Sequence, residues 1–157
     1  MASEARHREL VATRPATVAD APAIGGLLAE LGYPTDSASA AARIARLAND
    51  SRTTALVAAR AGVVCGLATV HLIPLFHRDG ALARITSFVV GHSAQRSGVG
   101  SALLAACETY ARSHGAERIE LTSGDRRAEA HAFYEARGFE REGLRMTRWL
   151  VERDGRP

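Results

Sequence analysis

The stretch QRSGVGSALL, residues 95–104, is where this chain could do chemistry with its backbone. Gly98 and Gly100 flank Val99 at the start of a segment that reads as a helix. The first turn of a helix leaves N–H groups without acceptors inside it, and the aligned peptide dipoles add partial positive charge there. With no Cβ at two positions, a bulky anion can approach those donors closely. The apolar run ITSFVV ahead of the loop supplies the strand of a strand–turn–helix phosphate cradle. Two nucleotide cradles do not fit: no Gly-Lys-Ser/Thr triplet follows, and Leu103 stands where a dinucleotide fingerprint needs its third glycine. On these residues alone, close helix packing explains the glycine pair equally well.

Other reactive types are sparse. Cys65 and Cys107 lie far apart among apolar neighbours, with no ligand spacing around them, so core thiols are expected and no metal site. His71 ends an apolar run, and His131 sits one turn ahead of Glu135 on a short helix, where packing is its expected role. The 157 residues fit one domain, 1–157, with a polar tail over 1–9. Hydrophobic residues make up 46% and charged ones 24%, which places the chain among globular proteins. A net charge of +3 spread along the chain, with 5% aromatics, argues against a nucleic-acid partner. No apolar run reaches membrane-spanning length and no signal core opens the chain, so a cytoplasmic protein with no membrane contact is expected.

These residues need elements to hold them. LVATRPAT predicts a first strand, and Ile24, Leu28 and Leu31 mark a helix that stops at Gly32, with Thr17 or Asp20 as its cap. SASAAARIARLAND predicts a second helix with Ile44 and Leu47 on one face. TTALVAAR and VVCGLATVHLI predict a hairpin joined at Ala61-Gly62, followed by the strand ALARITSFVV. Val99, Leu103, Ala106 and Tyr110 predict the buried stripe of the next helix, which Gly115 ends. ERIELTS reads as a strand, DRRAEAHAFYEARG as a helix, and FEREGLRMTRWLVE as one or two closing strands. The fold class is α/β, a central twisted mixed sheet flanked by about four helices.

A second segment, AHAFYEARGF at 130–139, completes a pattern. Together with QRSGVGSALL, it resembles the GNAT family of N-acetyltransferases. Gln95, Gly98 and Gly100 match that family's acetyl-CoA pyrophosphate loop, and Tyr134, Glu135, Gly138 and Phe139 match its later Tyr-Glu-x-x-Gly-Phe helix end. The element order matches from about residue 10 onward. The resemblance implies an acyl-CoA N-acyltransferase fold with acetyl-CoA as donor. Phe88, Val89 and Val90 would bind the pantetheine arm through their backbone. Arg96, Ser97, Gly98, Val99, Gly100 and Ser101 would hold the pyrophosphate. Tyr134 would return a proton to the departing thiolate.

Three departures matter. Thr86 and Ser87 stand where many members carry a basic carboxylate, Arg127 replaces a cofactor-contacting asparagine, and Arg96 replaces the first loop glycine. The general base is thereby unassigned. His71 is one candidate, and a water or weak polar relay is another. The resemblance implies an acceptor pocket around Tyr33, His71 and Thr86; Asp36 and Asp79 add too little acid for a polyamine funnel. The expected activity is direct acetyl transfer to a primary amine of a small molecule or peptide. The alternative is a non-catalytic acyl-CoA-binding regulatory module. A homodimer through the C-terminal segment is expected as the family implies, with Trp149 either at that edge or closing the chain's own core.

Overall fold

Five strands in the order β1-β2-β3-β4-β5 form one mixed sheet in the computed structural model, which describes residues 10–124 and 127–151. The tail expected over 1–9 lies outside the described residues. The elements follow as β1 (Val11–Pro15), α1 (Ala21–Leu31), α2 (Ser37–Ala48), β2 (Thr53–Arg60), β3 (Val63–Pro74), β4 (Ala81–Val90), α3 (Val99–Ser113), β5 (Ala116–Leu121) and α4 (Ala128–Glu135). The chain divides into two compact units between Thr122 and Ser123, so α4 and the tail form the second.

β1 to β4 pair antiparallel in sequence, and β5 joins β4 in parallel after the α3 crossover. The hairpin between β2 and β3 turns at Ala61 and Gly62, with φ values of 47° and 77°. Such a two-residue turn with both φ positive matches the twist of the strands it joins. Strand alternation gives the sheet two buried faces. On one, Val57, Leu67 and Val89 pack against Ala21, Ile24 and Leu27 of α1 and Ala40 and Ile44 of α2. On the other lies α3, whose Leu103 and Leu104 are almost wholly buried.

The sequence stripe for α3 needs rotating. Val99 and Leu103 are buried as expected, but Leu104, Cys107 and Ala111 complete the face, while Ala106 and Tyr110 are half-buried at its side. The four-three-four spacing fits two adjacent stripes, and only the sheet chooses between them. A second difference concerns the tail. Residues 139–151 form no strand, and Leu144, Met146 and Leu150 are exposed. Alternating apolar residues make a strand only where a ladder takes up their backbone groups.

α1 starts where the cap residues suggested. A single 3-10 turn over Val18–Asp20 precedes it, and Pro22 occupies the first helical turn. The Asp20 carboxylate accepts from Arg14 at the end of β1, at 2.7 and 2.8 Å, and from the Thr17 backbone N–H at 2.8 Å. Gly32 ends α1 in the left-handed region, at φ 101°.

Candidate functional site

The cradle region is built on a pinned turn. At the end of β4 the Gly91 N–H donates to the Cys65 carbonyl at 2.9 Å, and the His92 N–H donates to Glu30 of α1 at 2.9 Å. The His92 ring lies 3.1 Å from the same carboxylate. From there the chain enters α3 through Arg96 at φ 58° and Gly98 at φ 87°. A glycine at the first of these positions would adopt that angle freely, whereas an arginine bears a cost of roughly 1–2 kcal/mol.

Gly98 is the N-cap of α3 and is exposed. A Cβ built there would meet nothing within 4 Å, so the space in front of the first α3 turn is open. Val99, by contrast, is fully buried and faces inward. A Cβ on Gly66 of β3 would come within 3.1 Å of the Val99 side chain, so a bare residue at 66 lets the start of α3 sit directly on the sheet. Gly98 therefore does not serve that close approach; Gly66 does. Gln95 and Arg96 are exposed, Ser97 is half-buried with its hydroxyl donating to the Ala94 carbonyl, and the Gln95 amide reaches the Val90 carbonyl at 3.5 Å.

The strand leading into this turn is partnered unevenly. β4 pairs with β3 as far as Val90, but its ladder with β5 ends at Ile85 and Leu121. β5 ends at Leu121, so the β4–β5 ladder stops at Ile85 and does not extend along Phe88, Val89 and Val90. A strand edge can take an extended ligand arm as an added strand, and the N-terminus of α3 behind an exposed glycine suits an anion.

Across the middle of the sheet, the register brings His71 and Thr86 into contact. His71 Nε2 lies 2.7 Å from the Thr86 hydroxyl, and Nδ1 lies 3.2 Å from the Thr53 hydroxyl. Thr86 is the extra residue of a bulge, because Thr69 pairs with Ser87 while Val70 pairs with Ile85. Its hydroxyl also meets that of Thr69 at 2.8 Å, and Thr53 donates to Asp50 at 3.0 Å. Hydrogen bonds from the Arg52 N–H and then the Thr53 hydroxyl hold the Asp50 carboxyl below its ordinary value. Asp50, Thr53 and Thr69 carried no signal in the sequence, since nothing local announces a cross-strand partner. Tyr33 is exposed, 67%. Asp36 caps α2 through the Ser39 N–H at 2.7 Å, which gives it a structural task.

In the second unit, Tyr134 is half-buried between two rings. Phe133 stands edge-on at 5.2 Å between centroids, and Phe139 is tilted at 5.5 Å. The Tyr134 carbonyl accepts from the Arg137 and Phe139 N–H groups, and Gly138 at φ 84° closes this turn. Arg127 is the N-cap of α4, and its carbonyl accepts from the His131 N–H at 3.0 Å.

Neither thiol suits nucleophilic work. Burial pushes Cys107 up to about 12 and raises Cys65 as well. Among the described residues, no cluster of three or more His, Cys, Asp or Glu could hold a metal ion, and no helix is long and apolar enough to cross a membrane.

The profile described as "Acetyltransferase (GNAT) family" matches residues 26–139. An aminoalkylphosphonate N-acetyltransferase of Salmonella typhimurium is 34% identical over 94 residues, 60% of this chain and 61% of that protein. The match thus spans about three-fifths of the relative's length. Among solved structures, a transcriptional regulator from Bacillus halodurans superposes with a TM-score of 0.76 at 26% identity, over 88% of this chain and 99% of that one. Glucosamine-6-phosphate N-acetyltransferase from Arabidopsis thaliana gives 0.78 at 18% identity, over 91% and 100% of the two chains, which is a likeness of fold.

Proposed function

This chain belongs to the acetyltransferase (GNAT) family, and from that membership we propose that it moves an acetyl group from acetyl-CoA to a primary amine of a small molecule or peptide by direct transfer. The observation that supports this most is the end of the β4–β5 ladder at Ile85, just upstream of an open glycine turn.

Acetyl-CoA, when bound, supplies an acyl carbon already activated as a thioester. In this reading the backbone of Phe88, Val89 and Val90 binds the pantetheine arm as an added strand. The N–H groups from Arg96 to Ser101 take the pyrophosphate, and the exposed Arg96 guanidinium adds charge at the same place. Gln95 braces the turn through the Val90 carbonyl. Arg127, at the start of α4, contributes a further cation toward the cofactor. Tyr134 donates its phenolic proton to the leaving thiolate, a transfer between groups of similar acidity. Burial raises both the Cys65 and the Cys107 thiol, which favours direct attack over an acetyl-enzyme.

The name of the Salmonella relative places an aminoalkylphosphonate first in the acceptor panel, beside amino acids, peptide N-termini and aminoglycosides. Calorimetric titration with coenzyme A, ATP and NAD, followed by acetyl-CoA consumption over that panel, tests the proposal. Binding of coenzyme A alone and turnover with an amine are expected; ATP or NAD binding in its place would overturn it. Coenzyme A binding without turnover on any amine would instead favour a regulatory module, the reading that the missing carboxylate at Thr86 supports. We place the exposed Trp149 and Leu150 in a homodimer contact, which light scattering at monomer mass would rule out.

A further inference from the structure

Asp50, Thr53, His71, Thr86 and Thr69 form one line of hydrogen bonds across β2, β3 and β4. The register builds it: Thr53 is the Cα partner of His71, and the bulge after Thr69 adds Thr86 opposite the same stretch of β3. Each hydroxyl has one proton to donate, and this settles the direction of the line. The Asp50 carboxylate can only accept, so the Thr53 proton points to it at 3.0 Å. Thr53 Oγ1 must then accept from His71 Nδ1–H at 3.2 Å. A neutral imidazole protonated at Nδ1 presents a lone pair at Nε2. The Thr86 hydroxyl therefore donates to Nε2, at 2.7 Å, and accepts from Thr69, at 2.8 Å.

The two ends of the line differ in access. Thr53 is 8% exposed and His71 half-buried, whereas Thr86 is exposed, upstream of the Phe88 to Val90 stretch. We propose that His71 is the base that receives the acceptor amine's proton through the Thr86 hydroxyl, with Thr53 and Asp50 as positioning residues that fix its tautomer. This inference rests on the transferase reading above.

The step balances. The substrate ammonium gives a proton to Thr86 Oγ1 as the Thr86 proton passes to His71 Nε2, which becomes an imidazolium. The freed amine nitrogen forms a bond to the thioester carbonyl carbon, the C–S bond breaks, and the thiolate takes its proton from Tyr134. The second proton of the attacking nitrogen passes to the tyrosinate as the amide forms, so the one net proton released stays on His71 until solvent takes it. The Asp50 carboxylate offsets the new positive charge through Thr53. Other charged groups around His71 are Arg52, whose carbonyl accepts from Leu72, and Arg84, the Cα partner of His71 on β4. Glu120 holds Arg84 at 2.5 Å.

The test combines imidazole ¹⁵N NMR on the full chain with kinetics on an amine that the wild type acetylates. A neutral His71 should carry its proton on Nδ1, and Thr53→Val should redistribute it between the nitrogens. His71→Gln should lower kcat/KM for the amine about a hundredfold or more, as for loss of a general base. Its coenzyme A affinity should stay unchanged, and its pH–rate profile should lack a titration present in the wild type. Thr86→Val should behave like His71→Gln, and Thr86→Ser, which keeps the hydroxyl, should restore the rate. A wild-type proton on Nε2, or a folded His71→Gln with full rate and the wild-type profile, would overturn the proposal. A wild type that acetylates no amine would defeat the transferase reading itself, a failure distinct from an active enzyme indifferent to His71.

Discussion

Replacing Asp20 by asparagine should cost about 1–2 kcal/mol at neutral pH and almost nothing near pH 2. The carboxylate is 7% exposed and accepts two hydrogen bonds from Arg14, at 2.7 and 2.8 Å, and one from the Thr17 N–H at 2.8 Å. The Arg14 bonds lead, ahead of the opposing burial, in lowering its carboxyl from 3.8 to about 2. At about 1.4 kcal/mol per unit that drop corresponds to roughly 2 kcal/mol. The Arg14 side chain is 46% exposed, and solvent screening trims the figure toward the lower end of the range. Because the folded value lies below the unfolded one, folding favours the charged form. The contribution is complete above about pH 4 and is lost as pH falls through 2. Asparagine keeps the shape and removes the charge, so the difference between the two proteins isolates this effect from other carboxylates. Urea unfolding of both proteins at pH 7, 4 and 2 measures it. An equal difference at all three pH values, or none at pH 7, would show that the Arg14 pair does not hold the start of α1.

Three further outcomes bear on the site. Gly98→Val should lower coenzyme A affinity at least tenfold by calorimetry while the fold survives. A Cβ there meets no protein atom within 4 Å, but φ 87° disfavours a branched side chain, by roughly 1–2 kcal/mol; unchanged affinity would count against the cradle. Tyr134→Phe should reduce turnover about a hundredfold and leave coenzyme A binding as it is, and full turnover would make Tyr134 a packing residue. Cys107→Ala should leave turnover intact, since its thiol is pushed up to about 12. Loss of activity in a folded variant, or a labelled acetyl group retained on the protein, would refute direct transfer.

Much of the fold was legible because its signals are local. Gly32 stops α1, Ala61-Gly62 turns the hairpin, and Gly98 opens α3 through backbone angles that those residues adopt themselves or force on few others. The pairing of a glycine loop with Tyr-Glu-x-x-Gly-Phe pointed to the family for the same reason: each half is a short contiguous pattern. Three features needed the tertiary structure. The α3 face turned on which of two overlapping stripes met the sheet, and Leu104 and Cys107 won over Ala106 and Tyr110. The segment over 139–151 has strand-like alternation but forms no strand. Above all, the line from Asp50 to Thr69 joins residues 50, 53, 69, 71 and 86, and its central link depends on one bulged residue at Thr86. A local sequence pattern sets the angle of each backbone step, but a one-residue shift in pairing moves every side chain to the opposite face. Which hydroxyl meets His71 is therefore a property of the assembled sheet and of no segment within it.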